Sequence, residues 1–332
     1  MAKFSIIIPL YNCKNYIVEA LESALNQDYQ DFEVIVINDG STDGSEKLIE
    51  PYLDGGKVRL ISQENKGLFH TRLVGLDNAE NDYCVFLDSD DRLELNALST
   101  LNEIIEKDGA EVVIYRLTRF FEDGSQKTSR QVFDGDGFVD RNDMLSLLYK
   151  DNKINSIVLK AFKRELINTL ELQDFPRITV GEDSVFTLKL FENTQKIYYT
   201  QKVLYNYRML YVSMTHSIDK SSYFGGKFII ELFLESCKKM QLENLESDIY
   251  AHFFKKVAST IFYGKYLAKG KKQEYIEMLK SIAEDEFFIN AFSQYGKLQK
   301  LIVKLPNKLL YKKKFKTLYF LKKIIEGKML KR

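Results

Sequence analysis

Along the first ninety residues the spacing of apolar positions switches repeatedly between two periods. Phe4 to Pro9, Glu33 to Ile37, Val58 to Ser62 and Tyr83 to Leu87 are short runs rich in β-branched and aromatic side chains, and stretches of helical spacing separate them. That alternation predicts a series of parallel βαβ units. Ser5-Ile-Ile-Ile-Pro and Val34-Ile-Val-Ile present no polar face, which predicts strands covered by helices on both sides. Asn15 is the expected N-cap of a helix over Tyr16 to Asn26, and Ser41-Thr-Asp-Gly-Ser the expected start of another. Ligands of such sheets gather beyond the carboxyl ends of the strands.

Between Ala110 and Asp136 a further strand, Glu111 to Leu117, is expected to continue antiparallel through the Asp123-Gly-Ser turn, so the sheet should be mixed and mostly parallel. After about Ser217 the β signals fade. Phe228 to Met240 and Leu245 to Leu267 carry Leu, Ile, Phe, Lys and Glu at helical spacing. The expected organisation is an α/β domain over residues 1–217 and a helical domain over 218–332, with no internal repeat.

A length of 332 residues suits two cores better than one. Cys13, Cys84 and Cys237 are far apart and odd in number, which argues against a disulfide framework or a zinc site and for a reducing cytoplasm. Neither a cleavable leader nor a membrane-spanning helix is expected, because no apolar run is long enough. The net charge of +1 conceals an asymmetry: Lys297 to Arg332 holds thirteen Lys or Arg against Glu326 alone. Within it, Leu309, Leu310, Phe315, Leu318, Leu321 and Ile325 alternate with lysines in a basic amphipathic pattern over about 307–325. Two readings stay open. The segment lies peripherally on the anionic inner face of a membrane, where lipid-linked acceptors reside, or its apolar face packs on preceding helices or a second copy of the chain.

Candidate chemistry concentrates after the fourth strand, in Phe86-Leu-Asp88-Ser-Asp90-Asp91. Carboxylates crowded at a strand end repel one another, and a divalent cation with a diphosphate makes the arrangement favourable. Oxygen ligands of this kind select Mg²⁺ or Mn²⁺ over zinc. Read singly, the segment is equally an acidic solvated turn. Asp39, just past the second strand, is placed to accept hydrogen bonds from a base or ribose, and Gly40-Ser41 is equally an ordinary strand-to-helix turn.

Taken together, Ser5-Ile-Ile-Ile-Pro-Leu-Tyr-Asn, Asn38-Asp-Gly-Ser-Thr-Asp, Asn65-Lys-Gly-Leu-Phe-His-Thr-Arg and Phe86-Leu-Asp-Ser-Asp-Asp, in that order, resemble the inverting nucleotide-sugar glycosyltransferases of family 2, which have the Rossmann-like GT-A fold. The resemblance implies that Pro9 and Tyr11 shape the base pocket, Asp39 binds the base, Asp88 the ribose with Ser89 beside it, and Asp90 the metal on the donor diphosphate. It places Arg72 against the nucleotide or the acidic cluster. Val180-Gly-Glu-Asp183 resembles the family's Glu-Asp segment, whose aspartate implies a catalytic base, since the attacking hydroxyl must lose a proton. Tyr205-Asn-Tyr-Arg208 through Ser213, Thr215 and His216 resembles the stretch that folds over the donor diphosphate, with Arg208 as phosphate fork and His216 as a second metal ligand or a solvated loop residue. His70 and His252 read as structural.

The implied enzyme transfers a hexose-type sugar from a UDP-sugar, with Mg²⁺ or Mn²⁺, to a hydroxyl of a glycan, glycoprotein or lipid-linked saccharide, as similar enzymes do in bacterial capsule, teichoic acid and adhesin pathways. No nucleic-acid partner is expected; a homo-oligomer is common in the family, though no heptad pattern marks one here. A nicotinamide enzyme would need GxGxxG after the first strand, and an NTPase GxxxxGK[ST]; both are absent. Rivals that share such a sheet are a non-catalytic glycan-binding module and a metal-dependent nucleotidyltransferase. The intact Asp88, Asp90 and Asp183 argue against the first, and Leu10-Tyr-Asn-Cys, where a Gly-rich basic loop would stand, against the second.

Overall fold

The computed structural model describes residues 1–150, 154–176, 178, 181–209, 220–263, 272–298 and 301–329. Its chain divides into two compact units, Met1–Leu148 with Asn152–Tyr211, and Tyr149–Asp151 with Val212–Arg332. Among the described residues the first unit holds ten strands in one sheet: β1 (Phe4–Leu10), β2 (Phe32–Asn38), β3 (Val58–Ser62), β4 (Tyr83–Phe86), β5 (Arg92–Leu93), β6 (Val112–Phe121), β7 (Gln126–Thr128), β8 (Gly137–Val139), β9 (Lys160–Lys163) and β10 (Ile197–Met209). Their order is β3-β2-β1-β4-β9-β6-β10-β5, with β7 on β6 and β8 on β10. Helices α1 (Ile17–Leu25), α2 (Leu68–Asn78), α3 (Ala97–Asp108), α4 (Arg141–Lys150), α5 (Thr169–Leu172) and α6 (Glu182–Asn193) connect them.

The apolar runs become the centre of this sheet. β1 is buried along its whole length and runs parallel between β2 and β4, pairing Phe4 with both Phe32 and Tyr83. β2 is parallel to β3, and β6 to β10, whereas β9 enters antiparallel between β4 and β6. The hairpin expected at Asp123-Gly-Ser is present, with β7 antiparallel to β6. All the parallel strands around β1 therefore end on one edge, and the acidic loops leave from it.

Helix α2 reaches β1 and β2 closely because of Gly75: a Cβ there would sit 2.3 Å from Cγ2 of Ile7. Two helix starts differ from expectation. Tyr16, not Asn15, occupies the cap position of α1, and its side chain makes no capping bond. After Ser41 the chain forms two short 3-10 turns, Glu46–Leu48 and Glu50–Gly55, in place of an α-helix. Asp43 folds back onto the Ser45 amide and hydroxyl, Pro51 lacks an amide donor, and Gly56 ends the segment at φ 70°.

In the second unit α7 (Lys220–Lys239), α8 (Glu246–Tyr263), α9 (Lys272–Ala283), α10 (Glu286–Tyr295), α11 (Leu301–Tyr311) and α12 (Phe315–Met329) surround an aromatic core that includes Phe253, Phe254 and Phe288. Asp285 caps α10 by accepting from the Phe288 amide at 3.1 Å. The basic segment is not one helix. Lys313, at φ 54°, closes α11: its amide donates to Leu310 O and that of Lys314 to Leu309 O, both at 2.8 Å. Leu310, Leu318 and Lys322 are buried, the Lys322 ammonium lying 5.0 Å from the Tyr275 ring, while Leu305, Tyr311, Phe320 and the lysines from 312 to 314 face outward. Among the described residues no helix is long and apolar enough to cross a membrane.

The Gly75 contact is testable. Gly75→Ala should cost about 1–3 kcal/mol by overpacking, read as a lower urea midpoint at unchanged slope; an unaltered midpoint would mean that α2 does not approach β1 as described.

Candidate active site

Four loops meet beyond the carboxyl ends of β1 to β4. Asn12, at φ 49°, locks the first to the second: its amide donates to Ser41 Oγ at 3.1 Å and its Oδ1 accepts from the Thr42 amide at 2.8 Å. Pro9 is buried at the end of β1, and Tyr11 projects beyond it, about half exposed. Asp39 is 3% exposed and accepts from Gln63 Nε2 at 2.8 Å and the Lys66 amide at 2.8 Å on Oδ1, and from the Gly67 amide at 2.9 Å on Oδ2. A carboxylate offers about four lone-pair directions, so one on Oδ2 remains open to a further donor. Gly40 permits the approach, since a Cβ there would lie 3.0 Å from the Asn65 amide and its φ is +73°.

The three aspartates after β4 meet three different environments. Asp91 is 1% exposed and committed to β10, accepting from the Tyr205 hydroxyl and the Arg208 amide, both at 2.7 Å. Asp88 accepts from Arg72 at 2.9 Å; burial pushes its carboxyl up, and the Arg72 charge opposes that. The Asp90 carboxylate has no side-chain hydrogen-bond partner among the described residues; burial and the Asp88 charge push it up to about 6, against the smaller pull of its own amide and of Arg208. Ser89, between them, hydrogen-bonds the Cys13 thiol, which burial raises to about 11.

No three His, Cys, Asp or Glu side chains converge on a metal position among the described residues. Asp90 nevertheless suits a hard dication. Its destabilised carboxylate gains from a cation, and Mg²⁺ is ordinarily held by one or two carboxylates with substrate phosphates completing the shell.

Arg72 joins the two halves of the site. It projects from α2, is 1% exposed, and donates to Asp88 at 2.9 Å and to Asp183 Oδ1 at 2.6 Å, with Glu182 at 3.9 Å. Asp183 and Glu182 form the first turn of α6, where the helix dipole also favours negative charge. Asp183 Oδ2 has no partner among the described residues, and the side chain is 23% exposed.

Arg208, read from sequence as a phosphate fork, is partly occupied. Its Nε donates to Asp90 O at 2.7 Å, Nη2 pairs with Glu19, and the guanidinium lies 4.8 Å from the Tyr16 ring and 4.5 Å from that of Phe120. Ser213, Thr215 and His216 lie outside the described residues. His70 and His252 contact the carbonyls of Gln173 and Tyr149 respectively. Sequence reasoning passed over Gln63, Glu19 and the locking role of Tyr205. Only Tyr205 carried a signal, its place in the Tyr-Asn-Tyr-Arg run.

Residues 5–170 match the family model described as glycosyl transferase family 2. Glycosyltransferase GlyA of Streptococcus pneumoniae is 31% identical over 217 residues, 62% of this chain, which spans only 30% of GlyA. The GalNAc(5)-diNAcBac-PP-undecaprenol beta-1,3-glucosyltransferase of Campylobacter jejuni is 27% identical over 85% of this chain and 89% of its own length. The crystal structure of S. aureus TarS 1-349 in complex with UDP-GlcNAc matches with a TM-score of 0.72 over 98% of this chain and 92% of that one, at 22% identity.

Removing Arg72 leaves Asp88, Asp183 and Glu182 without their buried counter-ion. Arg72→Ala should therefore cost roughly 3–5 kcal/mol in denaturant unfolding at pH 7, and less at pH 5, where protonation relieves Asp88 and Glu182, whose carboxyls burial already pushes up. A cost independent of pH would contradict the pairing.

Proposed function

The chain belongs to glycosyl transferase family 2, and on that premise we propose that it transfers a hexose-type sugar from a UDP-sugar to a saccharide hydroxyl, inverting the anomeric carbon, with Asp183 as general base. The observation that carries this reading is the contact chain Asp88–Arg72–Asp183. It ties a carboxylate at the end of β4 to one at the head of α6, and leaves Asp183 Oδ2 and the Asp90 carboxylate open.

Pro9, Tyr11 and Asp39 line the uracil side, Asp88 and Ser89 the ribose side. Asp90 would hold Mg²⁺ or Mn²⁺, and Arg208, Ser213, Thr215 and His216 would serve the diphosphate and its ion. A bound dication supplies charge neutralisation on the departing diphosphate. Arg72 fixes Asp183 through Oδ1, so Oδ2 is the atom that takes the acceptor proton as the acceptor oxygen bonds to the anomeric carbon. The bond from that carbon to the diphosphate oxygen breaks on the opposite face, and its electrons leave with UDP. UDP as the carrier is supported by the TarS complex with UDP-GlcNAc. A lipid-linked acceptor at an anionic membrane is supported by the undecaprenol substrate in the name of the Campylobacter jejuni relative, and by the outward Leu305, Tyr311 and Phe320 among exposed lysines 308, 312, 313, 314 and 316.

Two measurements check the reading. Across a panel of UDP-sugars, Asp183→Asn should keep Mn²⁺-dependent UDP binding and lose transfer by about two orders of magnitude or more, while Asp90→Ala should weaken the metal-dependent binding itself; full transfer by Asp183→Asn refutes the base. Replacing Lys312, Lys313 and Lys314 together with Gln should reduce cosedimentation with phosphatidylglycerol vesicles at low salt, and undiminished binding would remove the membrane partner.

A further inference from the structure

Lys160, the first residue of β9, is completely enclosed. Its Nζ donates to the carbonyls of Ile154 at 2.6 Å and Ser156 at 2.7 Å. The carbonyl between them, that of Asn155, accepts from Thr187 Oγ1 of α6 at 2.7 Å, and Asn155 Nδ2 reaches Ser184 Oγ at 3.4 Å. Three consecutive carbonyls are thus taken up, the outer two by Lys160 and the middle one by the helix that carries Asp183. Burying an ammonium is unfavourable even when its N–H groups are hydrogen-bonded, and a methionine of similar length would fill the same space without that cost.

We propose that Lys160 is a positioning residue for Asp183: its buried amine clamps residues 154–156, and this segment holds the first turns of α6, the helix that carries the carboxylate that takes the acceptor proton. The inference rests on the reading of Asp183 as base.

The charges around the pair come from every element packed there. Arg72 of α2 and Asp88 after β4 face Asp183 from one side, Glu182 adjoins it on α6, and β6 contributes Tyr115, whose hydroxyl donates to the Val158 carbonyl at 2.9 Å. Burial lowers Lys160 to about 7, and the Asp183 charge opposes that fall. Two N–H groups suffice for two carbonyls, so the clamp survives deprotonation.

The test compares Lys160→Met, Lys160→Arg, Thr187→Val and Asp183→Asn as full-length protein. UDP release is followed from UDP-glucose, UDP-galactose and UDP-GlcNAc with Mn²⁺, and UDP binding is measured by calorimetry. Lys160→Met should lose about tenfold to a hundredfold in kcat with UDP affinity held within about threefold. Lys160→Arg, which keeps donors for the two carbonyls, should recover most of that loss, and Thr187→Val, which cuts the link to α6, should lower kcat with UDP affinity likewise held. Unchanged kcat in folded Lys160→Met overturns the proposal, as does unchanged kcat in Thr187→Val if the methionine variant does not fold. Turnover by Asp183→Asn would instead remove the base assignment and this inference with it; an inactive Asp183→Asn beside a fully active Lys160→Met would remove this inference alone.

Discussion

The Arg72 guanidinium, almost wholly enclosed, pairs with Asp88 at the end of β4 and with Asp183 at the head of α6, residues 95 positions apart in the chain. Only the guanidinium is fully enclosed, so it depends on both carboxylates for its charge to be tolerated, and each half-buried carboxylate in turn loses its counter-ion without it. Each of the three therefore fixes the other two. The planar fork meets two acids from different directions, which a lysine point charge does not do with the same geometry. The relative position of the strand-end loop and α6 follows from this ion triad, and so does the direction in which Asp183 presents its open oxygen.

The same electrostatic pressure sorts the aspartates that follow β4. Asp91 is absorbed into the scaffold by Tyr205 and the Arg208 amide, and so anchors the acidic turn to β10. Asp88 is balanced by Arg72. Asp90 receives only its own amide and the Arg208 charge against burial and the charge of Asp88, and carries the raised pKa that results. Crowding three like charges on one turn is unfavourable unless each finds a different answer, and for Asp90 the protein's answer is incomplete. Arg208 and Glu19 extend the pattern, the arginine being held in place by an acid from α1 and by the flanking rings of Tyr16 and Phe120.

Hydrophobic period alone determined β1 to β4 and the edge on which their loops gather, because strands buried on both faces need continuous apolar runs such as Ile6-Ile-Ile and Val34-Ile-Val-Ile. The hairpin at Asp123-Gly-Ser and the change to helices after the sheet were legible for the same local reason, as were the chemical types at Asp39, Asp88, Asp90 and Asp183. Which aspartate is spent on structure and which stays open is a matter of neighbours distant in sequence: Tyr205 and Arg208 for Asp91, Arg72 for Asp88, Gln63 for Asp39. No local pattern encodes those partners. The partition of the basic segment, with Leu310, Leu318 and even Lys322 turned inward and Leu305 and Phe320 outward, was likewise decided by packing, since an amphipathic pattern states that one face is apolar and not what covers it. Lys160 makes the point most sharply: in sequence it is one lysine among many, and only the fold encloses it completely against the carbonyls of Ile154 and Ser156.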